Sequence, residues 1–401
     1  MSEEAPLAGL TVLDISSFIA GPAAAATLAD FGADVIKIEP PDGDPHRQNF
    51  RSVGYPQSAV NFPWQLDGRL KRSVTLDLKT DAGRGALDRL LDRADVAIVN
   101  FPIAVRERLR LRWEDLEPRH PRLVYCSLTG FGETGPERDR PGFDITAYFG
   151  RAGILDAARH EGGPPGVSLP AQGDRATAMT LVAAILMGLR RRDRTGRGGW
   201  VGTSLYANGA WANGTTLQGA LVGAALPPRQ PPDRPRNALA NLYRTADDRW
   251  LQLLLVRDDR RWAAFCAAIE RPDLENEPRF ASREGRRANA IALGAELAAL
   301  FRREPYDIWA ARLGAAGLPF GVIGRVAEVV EDPQAEHAGL FTPTDNPEVP
   351  RVVNNPIRLG FATARRPGPP PALGEHTESV LGEAGFTAAE INGLRKAGAL
   401  G

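Results

Sequence analysis

Residues Leu10–Glu39 read LTVLDISSFIAGPAAAATLADFGADVIKIE. The short apolar run Leu10–Ile15 has the length of a buried strand. An alanine-rich stretch, Pro22–Phe31, then reads as a helix, and Val35–Glu39 as a second strand. A strand, a helix and a strand in that order form a parallel crossover unit, and the pattern continues outward. Ser73–Leu78, Asp95–Asn100 and Leu123–Leu128 read as further strands, with a helix over Gly83–Arg93 between the first two. Thr129–Pro141 (TGFGETGPERDRP) is punctuated by glycine and proline and reads as a loop. A helix over Ala176–Arg191 follows, opened by Asp174 and closed by basic residues and Gly196; Trp200–Leu205 resumes as a strand. The expected fold class is α/β with a mostly parallel sheet.

Gly223–Asn237 is dense in proline and arginine (PPRQPPDRPRN), a linker composition. Beyond it Leu242–Leu255 reads as a hairpin around Ala246–Arg249, and Arg260–Ile269, Ala288–Phe301 and Tyr306–Ala315 as helices. This is expected to be a smaller α+β domain ending near Thr342. A breaker run, Arg366–Pro371, and a terminal helix over Ala388–Ala397 follow.

The 401 residues carry zero formal net charge, with 43% hydrophobic and 24% charged residues. That balance argues against nucleic-acid binding, which needs a basic excess. No run approaches the ~20 apolar residues of a membrane span. The stretch Met1–Leu7 is short and acidic and lacks the pattern of a secretion signal. Two cysteines, Cys126 and Cys266, cannot form a disulfide framework and fit a reduced, cytoplasmic setting. Four lysines stand against 45 arginines, which compositional bias explains.

The opening unit invites a dinucleotide-binding reading, with Glu39 where a ribose-binding acid belongs. Its turn, Ile15–Pro22 (ISSFIAGP), contains one glycine, so the G-x-G-x-x-G cradle for a pyrophosphate is missing. No phosphate loop or nucleophile elbow occurs. The five histidines, His46, His120, His160, His337 and His376, are scattered without metal spacing, and each reads as a surface or capping residue. His376 is expected to help cap a helix. Among the carboxylates, Asp174 stands out: at a helix start the dipole keeps it ionised, and an ionised carboxylate attacks thioesters. The plainer alternative is an N-cap. Lys71, Arg72, Lys79, Arg106, Arg108 and Arg140 lie beside strand ends or in the glycine loop, where an anionic nucleotide could be gripped; solvated surface charge is the preferred reading for Arg72 and Arg106. Lys79 and Asn100 both fall at carboxyl ends of strands, where open α/β sheets bind ligands.

Those same segments resemble the family III CoA-transferases, the CaiB/BaiF group. The resemblance is carried by Pro6–Asp44, Lys71–Thr80 (KRSVTLDLKT), Ala94–Phe101 (ADVAIVNF), Pro121–Asp144 and Arg194–Leu205 (RTGRGGWVGTSL), then by LYRTADDRWLQL, PDLENEPRF, NPIRL and LGEHT. It implies an interlocked homodimer in which each large Rossmann-like domain is built from both chain ends, residues 1–224 and 343–401. A small domain, 225–342, is inserted between them. It further implies a catalytic aspartate in the GPP…Gly-Asp segment Gly162–Asp174, which is Asp174. Coenzyme A contacts carry over to Ile19, Ala20, Leu76, Lys79, Asn100, Phe101, Arg108 and Arg140, with Asp144 as a further candidate. No metal, and no cofactor beyond coenzyme A as substrate, is implied. The chain departs from the family where Pro40 replaces a polar residue, and it lacks the glycine-rich loop of formyl-CoA transferases, so formyl-CoA and oxalate are poor substrate choices.

Three alternatives share these features. An α-methylacyl-CoA racemase needs a histidine where this chain has Phe143. A non-catalytic CoA-binding protein or inactive partner subunit is weighed against by retention of Asp174, whereas a heteromer with a paralogous chain stays open beside the homodimer. An isomerase that moves CoA within one dicarboxylate is chemically close to the transferase. Asn237, Asn241 and Tyr243 are candidates for approaching the acyl group.

Overall fold

The structure, a computed structural model, describes residues 5–52, 55–255 and 258–401. The acidic Met1–Glu4 lies outside the described residues. Contacts group the chain into two compact units. The larger takes residues through Asp156, Val167–Ala225 and Glu336–Gly401; the smaller takes Ala157–Gly166 and Leu226–Ala335. The chain therefore re-enters the larger unit at Glu336 rather than residue 343, and Ala157–Gly166 groups with the smaller one.

The larger unit is built on β1 (Thr11–Asp14), β2 (Asp34–Glu39), β3 (Lys71–Thr75), β4 (Val96–Val99), β5 (Val124–Thr129) and β6 (Gly199–Ser204). They form one sheet in the order β3-β2-β1-β4-β5-β6, every pairing parallel. Alternate residues face opposite layers, as the two-residue period of a strand requires. Val12, Val96, Ile98, Val124 and Cys126 pack against α1 (Ala20–Asp30) and α5 (Gln172–Thr195). Leu13, Ala97, Val99 and Tyr125 face α3 (Asp81–Leu91) and the helices Thr377–Glu383 and Ala388–Lys396. Both faces are covered, which is why the strands read as apolar runs. Every residue of α1 is buried, and its alanines let it lie close under α5.

β3 begins two residues before the stretch expected from apolarity. Lys71 and Arg72 open it because both charges are met locally. Lys71 Nζ donates to Asp14 Oδ2 at 2.8 Å, and Arg72 bridges Asp34 and Glu383. Buried Lys71 is therefore not available to grip a nucleotide, which corrects that expectation, while Arg72 sits in surface ion pairs.

The smaller unit holds an antiparallel sheet β7-β8-β9, with β7 Leu242–Arg244, β8 Trp250–Leu253 and β9 Phe320–Val322. β7 and β8 form the expected hairpin. Its core gathers Tyr243, Phe265, Phe301 and Trp309 beneath the helices Asp258–Ala268, Ala290–Phe301 and Tyr306–Ala315. No helix among the described residues is long and apolar enough to cross a membrane.

Candidate active site

The strand order reverses between β1 and β4, and in such sheets the crevice at the carboxyl ends there takes the ligand. A cavity of about 260 Å³ opens at that edge. Its wall is drawn from Ser16 and Ser17 after β1, Ile38–Pro40 at the end of β2, Leu76–Lys79 after β3, and Phe101, Val105 and Leu109 after β4. Asn100 fixes the crevice. Its amide oxygen accepts from Ser17 N at 2.9 Å and its nitrogen donates to Ser17 O at 2.7 Å, stitching the loops after β1 and β4 together. In the lining itself, buried Lys37 is held by Asp44 Oδ2 at 2.9 Å, by Asp14 and by the carbonyl of Ser16. Burial alone would lower its pKa, but Asp14, Asp44 and Glu39 more than offset that and hold it above the ordinary lysine value.

Glu39 is not a ribose acid. It is 1% exposed and forks with Arg47, Nε to Oε2 and Nη2 to Oε1, both at 2.7 Å, while Ser73 Oγ donates to Oε1. Phe18 adopts φ +65°, a strained backbone for a residue with a side chain. Its amide is held by Asp44 Oδ1 at 3.2 Å, and its ring meets Phe143 edge-on at 5.9 Å. From Ser17 the surface therefore runs through Phe18 and Phe143 to Asp144 and Asp174.

Asp174 is the third residue of α5, not its N-cap; Ala171, at φ +68°, holds that place. Asp174 is half-buried and, among the described residues, receives no hydrogen bond. Asp144 lies beside it at the head of a π-helical segment, Asp144–Arg151, 7% exposed. Burial, and next the Asp144 carboxylate, push the Asp174 carboxyl up to about 7 against the partial pull of Arg175. Burial raises Asp144 as well, and the amides of Gly173, Ala171 and Asp174 pull it part of the way back. Those amides face the carboxylate without reaching hydrogen-bond geometry. Arg175 turns from Asp174 to Asp67 on α2 (Phe62–Gly68), and Asp67 also takes His46 Nε2 at 2.8 Å.

Among the residues expected to contact coenzyme A, Leu76, Lys79 and Phe101 line the cavity. Ile19 and Ala20 are buried at the start of α1 beside its rim. Arg108, at the end of α4 (Ile103–Arg108), shares an adjoining hollow with Lys79. Arg140 lies apart, bonded to Glu137 Oε1 at 2.6 Å with its guanidinium over Phe131. Arg106 is neither a ligand grip nor solvated: it is 2% exposed and bonded to Phe101 O and Glu133. His46, expected at the surface, is 1% exposed. His376 precedes its helix without a side-chain cap bond. In the smaller unit, Asn237 Oδ1 accepts from Leu239 N, Asn241 Nδ2 donates to Pro232 O and Tyr243 OH donates to Ala238 O. Sequence reasoning missed Lys37, Asp44, Asp67, Arg175 and the half-buried Tyr55, whose hydroxyl is raised by burial and then by Asp174. Only the arginine directly after the Gly-Asp pair gave any signal. Among the described residues no cluster of histidine, cysteine and carboxylate side chains could hold a metal.

The family model described as CoA-transferase family III matches residues 7–377. The (R)-2-hydroxy-4-methylpentanoate CoA-transferase of Clostridioides difficile is 30% identical over 392 residues, covering 97% of this chain and 98% of that protein. The cinnamoyl-CoA:phenyllactate CoA-transferase of Clostridium sporogenes is 30% identical over 400 residues, covering 97% and 95%. The crystal structure of a CaiB/BaiF family protein from Brucella suis superposes with a TM-score of 0.84 at 31% identity, over 95% of this chain and 100% of that one.

Proposed function

The chain belongs to CoA-transferase family III, and on that premise we propose that it moves coenzyme A from an acyl-CoA to a carboxylic acid through covalent intermediates on Asp174. One observation carries the reading. Asp174 is a carboxylate without a hydrogen-bond partner, raised to about 7, on the same sheet edge as a cavity suited to a nucleotide. A carboxylate of that basicity is a stronger nucleophile than an ordinary one and is still substantially ionised at neutral pH.

The nucleotide of the acyl-CoA lies in the cavity between Leu76 and Phe101, with Lys79 and Arg108 toward its phosphates. The thioester arm follows Ser17, Phe18 and Phe143 to Asp174. An Asp174 oxygen attacks the thioester carbonyl; the C–S bond breaks, leaving an aspartyl–acyl anhydride and CoA thiolate. The thiolate attacks the aspartyl carbonyl and expels the donor as its free carboxylate, leaving an aspartyl-CoA thioester. The acceptor carboxylate then attacks that thioester, and the released thiolate returns to the acceptor carbonyl. Asp174 is regenerated and the new acyl-CoA leaves. Each bond broken is replaced, so the thioester energy is conserved and neither metal nor redox partner enters. Phe143 offers no proton, which weighs against a racemase. Both relatives named above act on 2-hydroxy acids, so acceptors of that class come first in a substrate panel. An interlocked homodimer is supported by exposed apolar side chains at Val167, Leu169, Met187, Trp211 and Leu221. The buried free cysteines Cys126 and Cys266 suit a reducing, cytoplasmic compartment.

The test is peptide mass spectrometry after incubation with acyl-CoAs and hydroxylamine, which converts an activated carboxyl to a hydroxamate. A hydroxamate at Asp174 is expected with an accepted donor, and none with any donor sinks the proposal. Its yield should climb with pH through about 7 as the carboxyl loses its proton, and a flat profile from pH 5 to 9 contradicts the raised pKa. Lys79→Ala and Arg108→Ala should each raise KM for acyl-CoA roughly tenfold with kcat little changed, since a charge-assisted contact to phosphate contributes about 1.5–3 kcal/mol. Unchanged KM in both places the nucleotide elsewhere.

A further inference from the structure

Arg175 is the positive charge that acts most strongly on Asp174, and so the cation best placed to pair with it. Such a pair would lower the carboxylate's basicity by about 1–3 pH units and dull it as a nucleophile. Arg175 is placed to do this and does something else. Its two terminal nitrogens fork onto Asp67, Nη1 to Oδ1 and Nη2 to Oδ2, the second at 2.8 Å. The acceptor is over-determined. Asp67 is fully buried, and His46 Nε2 donates to its Oδ2 at 2.8 Å. Asn49 Nδ2 donates to His46 Nδ1 at 3.0 Å, which fixes the tautomer that points N–H at Asp67. The His46 amide is anchored at 2.9 Å by Asp44, which also lines the cavity. Asp67 thus gathers three donors while Asp174 has none.

We propose that Asp67 is a positioning residue whose carboxylate keeps Arg175 from pairing with Asp174, so that the reactive carboxylate meets its substrate unpaired. The proposal rests on the reading of Asp174 as nucleophile. The groups that bear on Asp174 are Asp144 from the π-helical segment, Asp67 from α2, His46 from the short helix Pro45–Arg51, Tyr55 after it, and Arg175 on α5 itself; Tyr148 faces Asp144. Burial and Asp144 favour the protonated acid, and Arg175 opposes them only at a distance while its donors stay on Asp67.

The experiment follows Asp174 ionisation directly, by tagging protonated carboxyls with a carbodiimide and an amine across pH and quantifying the Asp174 peptide. The intact protein, Asp67→Asn, Arg175→Gln and the double variant are compared, with circular dichroism as the folding check. In Asp67→Asn the tagging midpoint should fall by about one pH unit or more. Arg175→Gln should raise it by less than about half a unit in the native background, and by about one unit or more in the Asp67→Asn background. Transfer lost in Asp67→Asn should largely return in the double variant. Equal shifts from Arg175→Gln in both backgrounds mean that Asp67 acts only through its charge, and overturn the proposal. If Asp67→Asn does not fold, Arg175→Lys replaces it. Net charge is then unchanged, but an ammonium cannot fork onto both Asp67 oxygens and swings to Asp174, so the midpoint should fall; an unchanged midpoint overturns the proposal equally. Tagging reads ionisation whether or not Asp174 is a nucleophile. Absent hydroxamate with non-additive shifts therefore removes the proposed function alone, and additive shifts with hydroxamate intact remove this proposal alone.

Discussion

Asp174→Ala is expected to cut CoA transfer by at least about 10⁴-fold, a loss of roughly 5.5 kcal/mol of transition-state stabilisation, because both covalent intermediates are built on that carboxyl. Asp174→Asn should do the same, since an amide is a poor nucleophile of nearly equal shape. It should also change stability in a direction that depends on pH. The folded-state pKa is raised above the unfolded value, so the native state favours the protonated acid. That contribution is fully present below the unfolded pKa near 4 and is lost as pH rises through about 7. Above 7 the native protein carries a poorly solvated anion, and Asp174→Asn removes it. At pH 8 the variant should be more stable by about 1–3 kcal/mol, with no gain at pH 4. Thermal or urea unfolding at the two pH values reads this directly. Turnover within tenfold of the native enzyme would remove Asp174 from the chemistry, and an equal gain at both pH values would locate the stability effect outside its ionisation.

Gly173→Ala carries the second large effect. A Cβ at that position would lie 2.2 Å from Asp144 Oδ1 and 2.4 Å from Tyr148 Cγ, both side chains being buried and held by the π-helical segment. Neither can give way without moving Asp144 or lifting the first turn of α5. Overpacking of this kind costs about 1–3 kcal/mol of stability. A shift of about 1 Å at the reactive carboxyl costs roughly a further hundredfold in rate. Gly85 provides the contrast. It sits in α3 with nothing within 4 Å of a built Cβ, so Gly85→Ala should add about 0.5–1 kcal/mol and leave turnover alone. If Gly173→Ala behaves like Gly85→Ala, the close packing of Asp144 on the helix start is not what positions Asp174.

What the sequence made legible was whatever apolar periodicity or local spacing encodes. The six strands announced themselves because a sheet covered on both faces needs apolar residues on both sides. Asp174 was findable because helix starts and the Gly-Asp pair are local signals. The network behind it was not. His46, Asp67 and Arg175 come from three separate elements, and a buried polar cluster has no period to reveal it. The same blindness misplaced Arg106, whose charge looks solvated until Glu133 is seen against it, and hid the buried fork of Arg47 on Glu39. Asn100 was selected for the right place, yet its amide is consumed in holding the loop that shapes the cavity.

The larger unit is closed by the far end of the chain: Thr75 N donates to Thr377 Oγ1, and Val380, Leu381 and Ile391 cover the sheet face that Leu13, Val74 and Leu76 present. On a ribosome this has a price in time. The stretch from Ser204, where the last strand of the sheet ends, to Thr377 takes roughly 9–35 s to synthesise at about 5–20 residues per second, and throughout it one face of the completed parallel sheet waits without part of its cover. A nascent chain in that condition is a client for holding chaperones, and premature termination anywhere before the last two helices would release a sticky fragment, not a shorter enzyme.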